Sequence, residues 1–212
     1  GSGDSSCALA LHLLASPRRA AEVQPPWCNA FLTDACSARG WPPKLVHLHE
    51  DVWRSRGEIV RARLLARCGR VRSRIVARKT TVRRIPVSEY APFLDAHHLW
   101  GATKAKYGYG LFLAAPSPSI SVDGSSSSGG SIPGGDVSCQ LVAVATFSAR
   151  RRVTRAGIVH SSHELLRVCC ARDGAVVGGI SKLVRAFVRA HAPDDLVTVV
   201  DRDWGDADGW HG

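Results

Sequence analysis

Two apolar runs flank a stretch that cannot pack. Tyr107 to Ala114 and Gln140 to Phe147 each have the length and composition of a strand, whereas Pro116 to Asp136 between them is dominated by Ser, Gly and Pro. Such a segment buries too little apolar surface to offset the entropy of ordering it. Closure entropy grows only slowly with loop length. The two runs are therefore predicted to be neighbouring strands of a hairpin, joined by a flexible insertion over 116–136. Whatever else the chain does, it has to build a sheet around this pair.

The remaining patterns extend the sheet. Leu45-Val46-His47-Leu48-His49 alternates with period two, as a half-buried strand does. A helix is predicted from about Gly57 to Cys68, with Ile59, Val60, Leu64 and Leu65 on one face and Gly69 as its stop. Arg74 to Pro86 reads as a strand. Ser88 is placed to cap a short helix through His97, with Tyr90, Phe93 and Leu94 facing the core. Glu164 to Cys170 reads as a strand, Val177 to His191 as a helix, and Leu196 to Val200 as a last strand. The order strand, helix, three strands, helix, strand indicates an α+β (α/β-like) domain over 74–212. A basic strand–helix appendage precedes it at 44–73.

Residues 1–43 carry Pro17, Pro25, Pro26, Pro42 and Pro43 without sustained periodicity, and are expected to form an irregular leader with room for one short helix. Its apolar run, Ala8 to Ala15, is too short to span a membrane. Arg18 and Arg19 follow that run, as in the apolar part of a processed targeting segment.

Charge points to a polyanion. The chain carries 28 Lys and Arg against 18 Asp and Glu, a formal net charge of +10. Between Arg54 and Arg84 only Glu58 is acidic. Arg61, Arg63, Arg67, Arg70, Arg72 and Arg74 are therefore candidate nucleic-acid contacts. The plainer alternative is a solvated arginine-rich helix. The seven cysteines form no CxxC pair and no zinc frame, so no metal is expected and a reduced, intracellular protein is the simplest reading. It would be cytoplasmic, or nuclear or organellar in a eukaryote.

Three clusters carry chemistry. Phe93 to Gly101 contains His97 and His98 at the end of a short helix, where a histidine can serve as general base, ligand or nucleic-acid contact, or simply cap the helix. Val176-Val177-Gly178-Gly179-Ile180-Ser181-Lys182 joins a strand to a helix. Its free amides, with Ser181 and Lys182, suit a phosphate, although paired glycines can merely turn the chain. Val199 to Trp210 delivers Asp201 at the end of an apolar strand, and lacks the spacing of a calcium loop.

In their order these blocks carry a resemblance. Ala77-Arg78-Lys79, Phe93-Leu94 with His98-Leu99 and Gly101, Tyr109-Gly110-Leu111, Leu141 to Phe147, Glu164 to Cys169, Gly178 to Leu183, and Asp201-Arg202 with Trp204-Gly205 are the matching residues. The run from Arg74 to Gly212 resembles GNAT-type N-acyltransferase domains of phage and mobile-element proteins, related to the Mom-like DNA-modification acyltransferases. The resemblance implies a mixed, mostly antiparallel sheet flanked by helices, with acetyl-CoA or another acyl-CoA as cofactor. The pantetheine would lie along the strand carrying Val168. The pyrophosphate would sit on Val177, Gly178, Gly179, Ser181 and Lys182. His98, Arg167 and Asp201 would line the acceptor side as catalytic residues. Ala175 and Ile180 depart from the family's phosphate-loop pattern. Relatives continue into a tyrosine-bearing helix and a final strand, so the resemblance also implies a domain shortened at its C-terminus. Val46 to Trp53 resembles the strand–helix tail that precedes such domains in nuclease-like phage proteins. The competing expectation is a non-catalytic nucleic-acid-binding or nuclease-associated module, or a decayed mobile-element domain.

Overall fold

The computed structural model describes residues 9–16, 25, 27–39, 45–114 and 139–204. The insertion predicted at 116–136 and the end of the chain past Trp204 lie outside the described residues. In chain order the elements are β1 (Ala10–Leu14), α1 (Trp27–Ala38), β2 (Leu45–His49), α2 (Glu50–Arg67) and β3 (Ser73–Val76). A 3-10 turn at Ala77–Lys79 leads to β4 (Thr80–Ile85), α3 (Val87–His97), β5 (Tyr107–Ala114) and β6 (Cys139–Phe147). Then come β7 (Arg151–Arg155), β8 (Ile158–Cys170), β9 (Gly174–Val177), α4 (Gly179–His191) and β10 (Asp195–Thr198).

The main sheet runs β10-β8-β6-β5-β4, with β7 paired to β8 off this path. Every pairing in it is antiparallel except β8 with β10. The protein is thus α+β, with a mostly antiparallel sheet. The predicted hairpin is present: β5 pairs with β6 from Tyr107↔Phe147 to Ala114↔Cys139.

Alternation along the strands gives the sheet two apolar faces. On one face Ala143, Ala145, Phe147 and Leu165 bury Leu183 and Phe187 of α4. The Phe147 and Phe187 rings stack at 3.9 Å and 7°. On the other face Phe112 and Val144 pack against Ile85 and against Tyr90 and Leu94 of α3.

The N-terminal region departs from the irregular leader expected of it. β1 pairs in parallel with β2, Ala10↔Leu45 to Leu14↔His49, and α1 is a full helix of 12 residues. Proline density misleads here because the prolines fall between the elements. α2 begins at Glu50 rather than Gly57 and bends at Arg56, whose φ of −133° leaves the helical region. A third cluster joins this region to the far end of the chain: Val46, Leu48, Ile59 and Val60 pack with Leu99 and Trp204.

Smaller corrections have local causes. Pro86, not Ser88, occupies the N-cap of α3, and no side chain caps it. The strand expected from Arg74 to Pro86 is broken by the 3-10 turn, so β3 leaves the main sheet and pairs with β9. β8 begins at Ile158, six residues ahead of the predicted Glu164, because β7 supplies it with a partner. Among the described residues no helix is long and apolar enough to cross a membrane.

Candidate active site

The sheet is irregular at one place. Along β8 the register against β6 jumps from Thr146↔Arg167 to Phe147↔Leu165, leaving Leu166 as an extra residue. A bulge of this kind bends its strand and increases its twist. At the same level β10 ends: its pairing stops at Thr198↔Leu165, where the Thr198 hydroxyl donates to the Leu165 carbonyl at 3.0 Å. The outer edge of β8 from Leu166 to Cys170 therefore has no strand beside it among the described residues. Two parallel strands that part at a bulge leave backbone N–H and C=O groups open to a ligand.

Around this gap the chain gathers polar groups. Arg167 and Thr146 are register partners, and both hold a buried atom, Arg167 Nε and Thr146 Oγ1, without a hydrogen-bond partner. The other end of the guanidinium donates to the Leu166 carbonyl at 2.7 Å. An unsatisfied buried polar group costs about 1–3 kcal/mol.

His98 follows α3 and turns toward the gap. Its Nδ1 accepts the Trp100 N–H at 3.1 Å, which leaves the neutral ring's proton on Nε2. Burial first, then the Arg167 and Arg63 guanidinium groups, pushes its pKa down to about 4. At neutral pH His98 is thus an uncharged Nε2–H donor, suited to holding an oxygen.

Asp201 supplies the carboxylate. One oxygen accepts the Trp100 indole N–H at 3.0 Å, and the other accepts the Asp203 N–H at 3.1 Å. Arg63 completes the group. It reaches out of α2 to lie 4.7 Å from the Trp204 ring, and the Asp201 charge opposes the fall in its pKa that burial causes. His98 feels the charges of Arg167 and Arg63, and Arg63 that of Asp201. Cys169, on the same face of β8 as Arg167, is pushed up to about 12, mainly by burial, and stays a thiol.

The phosphate-binding residues are placed unevenly. Gly178 stands at the N-cap of α4 with φ 76°, a left-handed conformation that glycine adopts without strain. Gly179 is buried, and a Cβ there would come 3.0 Å from Val176. Val177 and Ser181 are exposed, while Val168 packs toward the α4 side of the core. Lys182 does not face a ligand at the helix start: its Nζ donates to the Ala77 carbonyl at 2.8 Å and to the Thr80 carbonyl. It ties the 3-10 turn and the start of β4 to α4.

No family model, curated protein or solved structure matches the chain. The site therefore rests on its own geometry.

The arginines expected on a nucleic-acid surface divide into two groups. Arg61, Arg70, Arg72 and Arg74 are exposed, Arg67 is half-buried beside Arg63, and Arg63 belongs to the site. Sequence reasoning named Arg63 only as a nucleic-acid contact, and gave Trp100 and Trp204 no role beside His98 and Asp201. The signal available was the tryptophan on each of the two segments that carry His98 and Asp201.

Proposed function

We propose that the chain is an acyl-CoA-dependent N-acyltransferase of the DNA-modification kind, with a GNAT-like domain over 74–212. The observation that carries this reading is the gap between β8 and β10: parallel strands part at the Leu166 bulge, beside α4 and its uncapped first amides. The first amides of a helix lack intrahelical acceptors and attract anions. With Lys182 engaged elsewhere, the amides of Gly179, Ile180 and Ser181 would carry the pyrophosphate. The open edge of β8 past Leu166 would hold the pantetheine through backbone hydrogen bonds.

Bound acyl-CoA supplies the acyl group as an activated thioester. The chain's own residues then act on the acceptor. His98 Nε2–H and Arg167 Nε present donors at the gap, suited to an oxygen on which charge develops. Asp201, held by Trp100, takes the proton from the acceptor nitrogen as the C–N bond forms and the C–S bond breaks. The thiol of the departing CoA regains a proton from solvent. An exocyclic amine of a nucleobase fits this arrangement because it is uncharged at neutral pH and needs no prior deprotonation.

Calorimetric titration with acetyl-CoA tests the reading. Binding with one site per chain is expected, and His98→Gln and Asp201→Asn should keep it while lowering transfer by about a hundredfold. No heat with CoA, acetyl-CoA or longer acyl-CoAs would overturn the proposal in favour of a non-catalytic nucleic-acid-binding module.

A further inference from the structure

The strongest unassigned feature lies away from the gap. From Arg152↔Ser161 to Arg155↔Ile158, β7 and the start of β8 pair only with each other, because β10 joins β8 at Ser162 and β6 joins it at Leu165. The result is a free two-stranded ribbon, roughly 13 Å long at 3.3 Å per residue. A two-residue turn closes it, with Ala156 at φ 49° and Gly157 at φ 79°.

Its chemistry is one-sided. Residues 149–163 contain Arg150, Arg151, Arg152 and Arg155 and no acid. Three acids stand at the ribbon's base. Glu164 pairs with Arg151 at 3.2 Å, Asp195 with Arg155, and Asp194 accepts the Ser161 N–H at 2.6 Å. Arg150 and Arg152 are exposed and have no side-chain partner among the described residues. They line one shallow hollow with Val159, His160, Ser161 and Asp194. At the tip, Ile158 and Val159 are 63% and 50% exposed. Free cations beside exposed apolar side chains on a projecting ribbon are a poor surface for water alone.

We propose that the β7–β8 ribbon docks in the major groove of duplex DNA. That groove is about 12 Å wide and admits a two-stranded β-ribbon, whereas the major groove of duplex RNA is too narrow. Arg150 and Arg152 would meet backbone phosphates, and Val159, which the register puts on the Arg152 face of the ribbon, the methyl groups of thymines. The inference rests on the nucleic-acid half of the reading above and is independent of acyl transfer.

The test is fluorescence anisotropy of the full chain with a labelled DNA duplex about two helical turns long. The double variant Arg150→Gln/Arg152→Gln should weaken binding by about tenfold and lower the salt slope by roughly 2, near 0.9 for each phosphate it no longer neutralises. It removes no bond seen in the structure, and an unchanged melting temperature confirms its fold. The control Arg185→Gln/Arg189→Gln, at exposed positions of α4, should change affinity less than about threefold, and a duplex RNA of the same sequence should bind about tenfold more weakly. The proposal fails if the ribbon variant binds DNA like wild type, if duplex RNA binds as well as DNA, or if wild type binds neither. Acetyl-CoA titration of the same ribbon variant separates the two readings, since its heat is expected to be that of wild type whatever the DNA result.

Discussion

The α4 face of the sheet and the N-terminal β1–β2–α2 region are held by different forces. Around α4 the contacts are apolar and aromatic: Phe187 stacks on Phe147 and meets Tyr107 and Tyr109 edge-on or tilted. Around β2 the apolar cluster of Val46 and Leu48 is joined by a polar network. His47 hydrogen-bonds His12 through Nδ1 and Thr33 through Nε2, each at 2.9 Å, and its backbone N–H donates to the Asp203 carbonyl at 2.9 Å. Asp203 also accepts from Asn29 at 3.0 Å and stands 3.3 Å from His49. Apolar packing resists any change of pH, whereas a histidine–carboxylate network does not. The difference matters for function because the candidate site lies between the two, with Arg167 from the sheet and Arg63 from α2.

The largest expected effect breaks the apolar side. Phe187→Ala leaves a cavity under a buried ring and should cost about 3–5 kcal/mol, read as a shift of the urea midpoint at unchanged slope. A loss under about 1 kcal/mol would mean that α4 is not anchored by this stack. Asp203→Ala probes the polar side and should cost about 1.5–3 kcal/mol, the range for hydrogen bonds to a charged group. Its loss should appear as faster amide exchange in β1 and β2, with β5 and β6 unaffected. Equal acceleration in both would show that the two regions unfold as one unit, held together more tightly than their separate contacts imply.

Legibility in the sequence followed the same divide. The β5–β6 hairpin could be read because each strand packs locally against its neighbour and carries its own apolar run. β7 was missed because Arg151-Arg152-Val153-Thr154-Arg155 has one apolar residue and buries none fully. β1 was missed because a short parallel strand gets its meaning only from a partner 35 positions away, as in Ala10↔Leu45. For the site, His98 and Asp201 could be named as residue types at element ends, whereas Arg167 came only with the resemblance. That Arg63 would turn inward to Trp204 could not be read, since an arginine on a helix gives no sign of which face the rest of the chain covers. Lys182 misled for a related reason: the Ala77 and Thr80 carbonyls come within its reach only once the chain has folded.

The pH dependence sharpens the comparison at the site itself. His98 has a folded pKa of about 4 against an ordinary 6.5, lowered by burial and then by Arg167 and Arg63. The unfolded chain therefore binds more protons between these values, so stability is full above about 6.5 and is lost as pH falls toward 4. His47, His97 and His191 are lowered too, mainly by burial, and act in the same direction. His98→Gln should flatten the melting-temperature profile in that window, with a slope change of at most about 1.4 kcal/mol per pH unit. A profile parallel to wild type would show that His98 titrates alike in both states.

The smallest expected effect compares two alanines with left-handed backbones, Ala192 at φ 42° and Ala156 at φ 49°. An L-residue there is strained by about 1–2 kcal/mol relative to its preferred regions, and glycine or asparagine relieves much of that. Ala192 ends α4, and its N–H donates to the Val188 carbonyl at 2.8 Å, so its strain is tied to the helix that carries the apolar core. Ala192→Gly should therefore raise global stability by about 0.5–1 kcal/mol, net of glycine's entropy. Ala156 closes the β7–β8 ribbon, where Asn-Gly is the favoured pair for a turn with both φ values positive. Since the ribbon past Ser162 pairs with no other strand, it can open without the sheet. Ala156→Asn should then slow amide exchange at Val153 and Thr154 severalfold and leave the melting temperature nearly unchanged. If instead Ala156→Asn raises the melting temperature as much as Ala192→Gly does, the ribbon belongs to the cooperative core and is not the locally held projection its pairing describes.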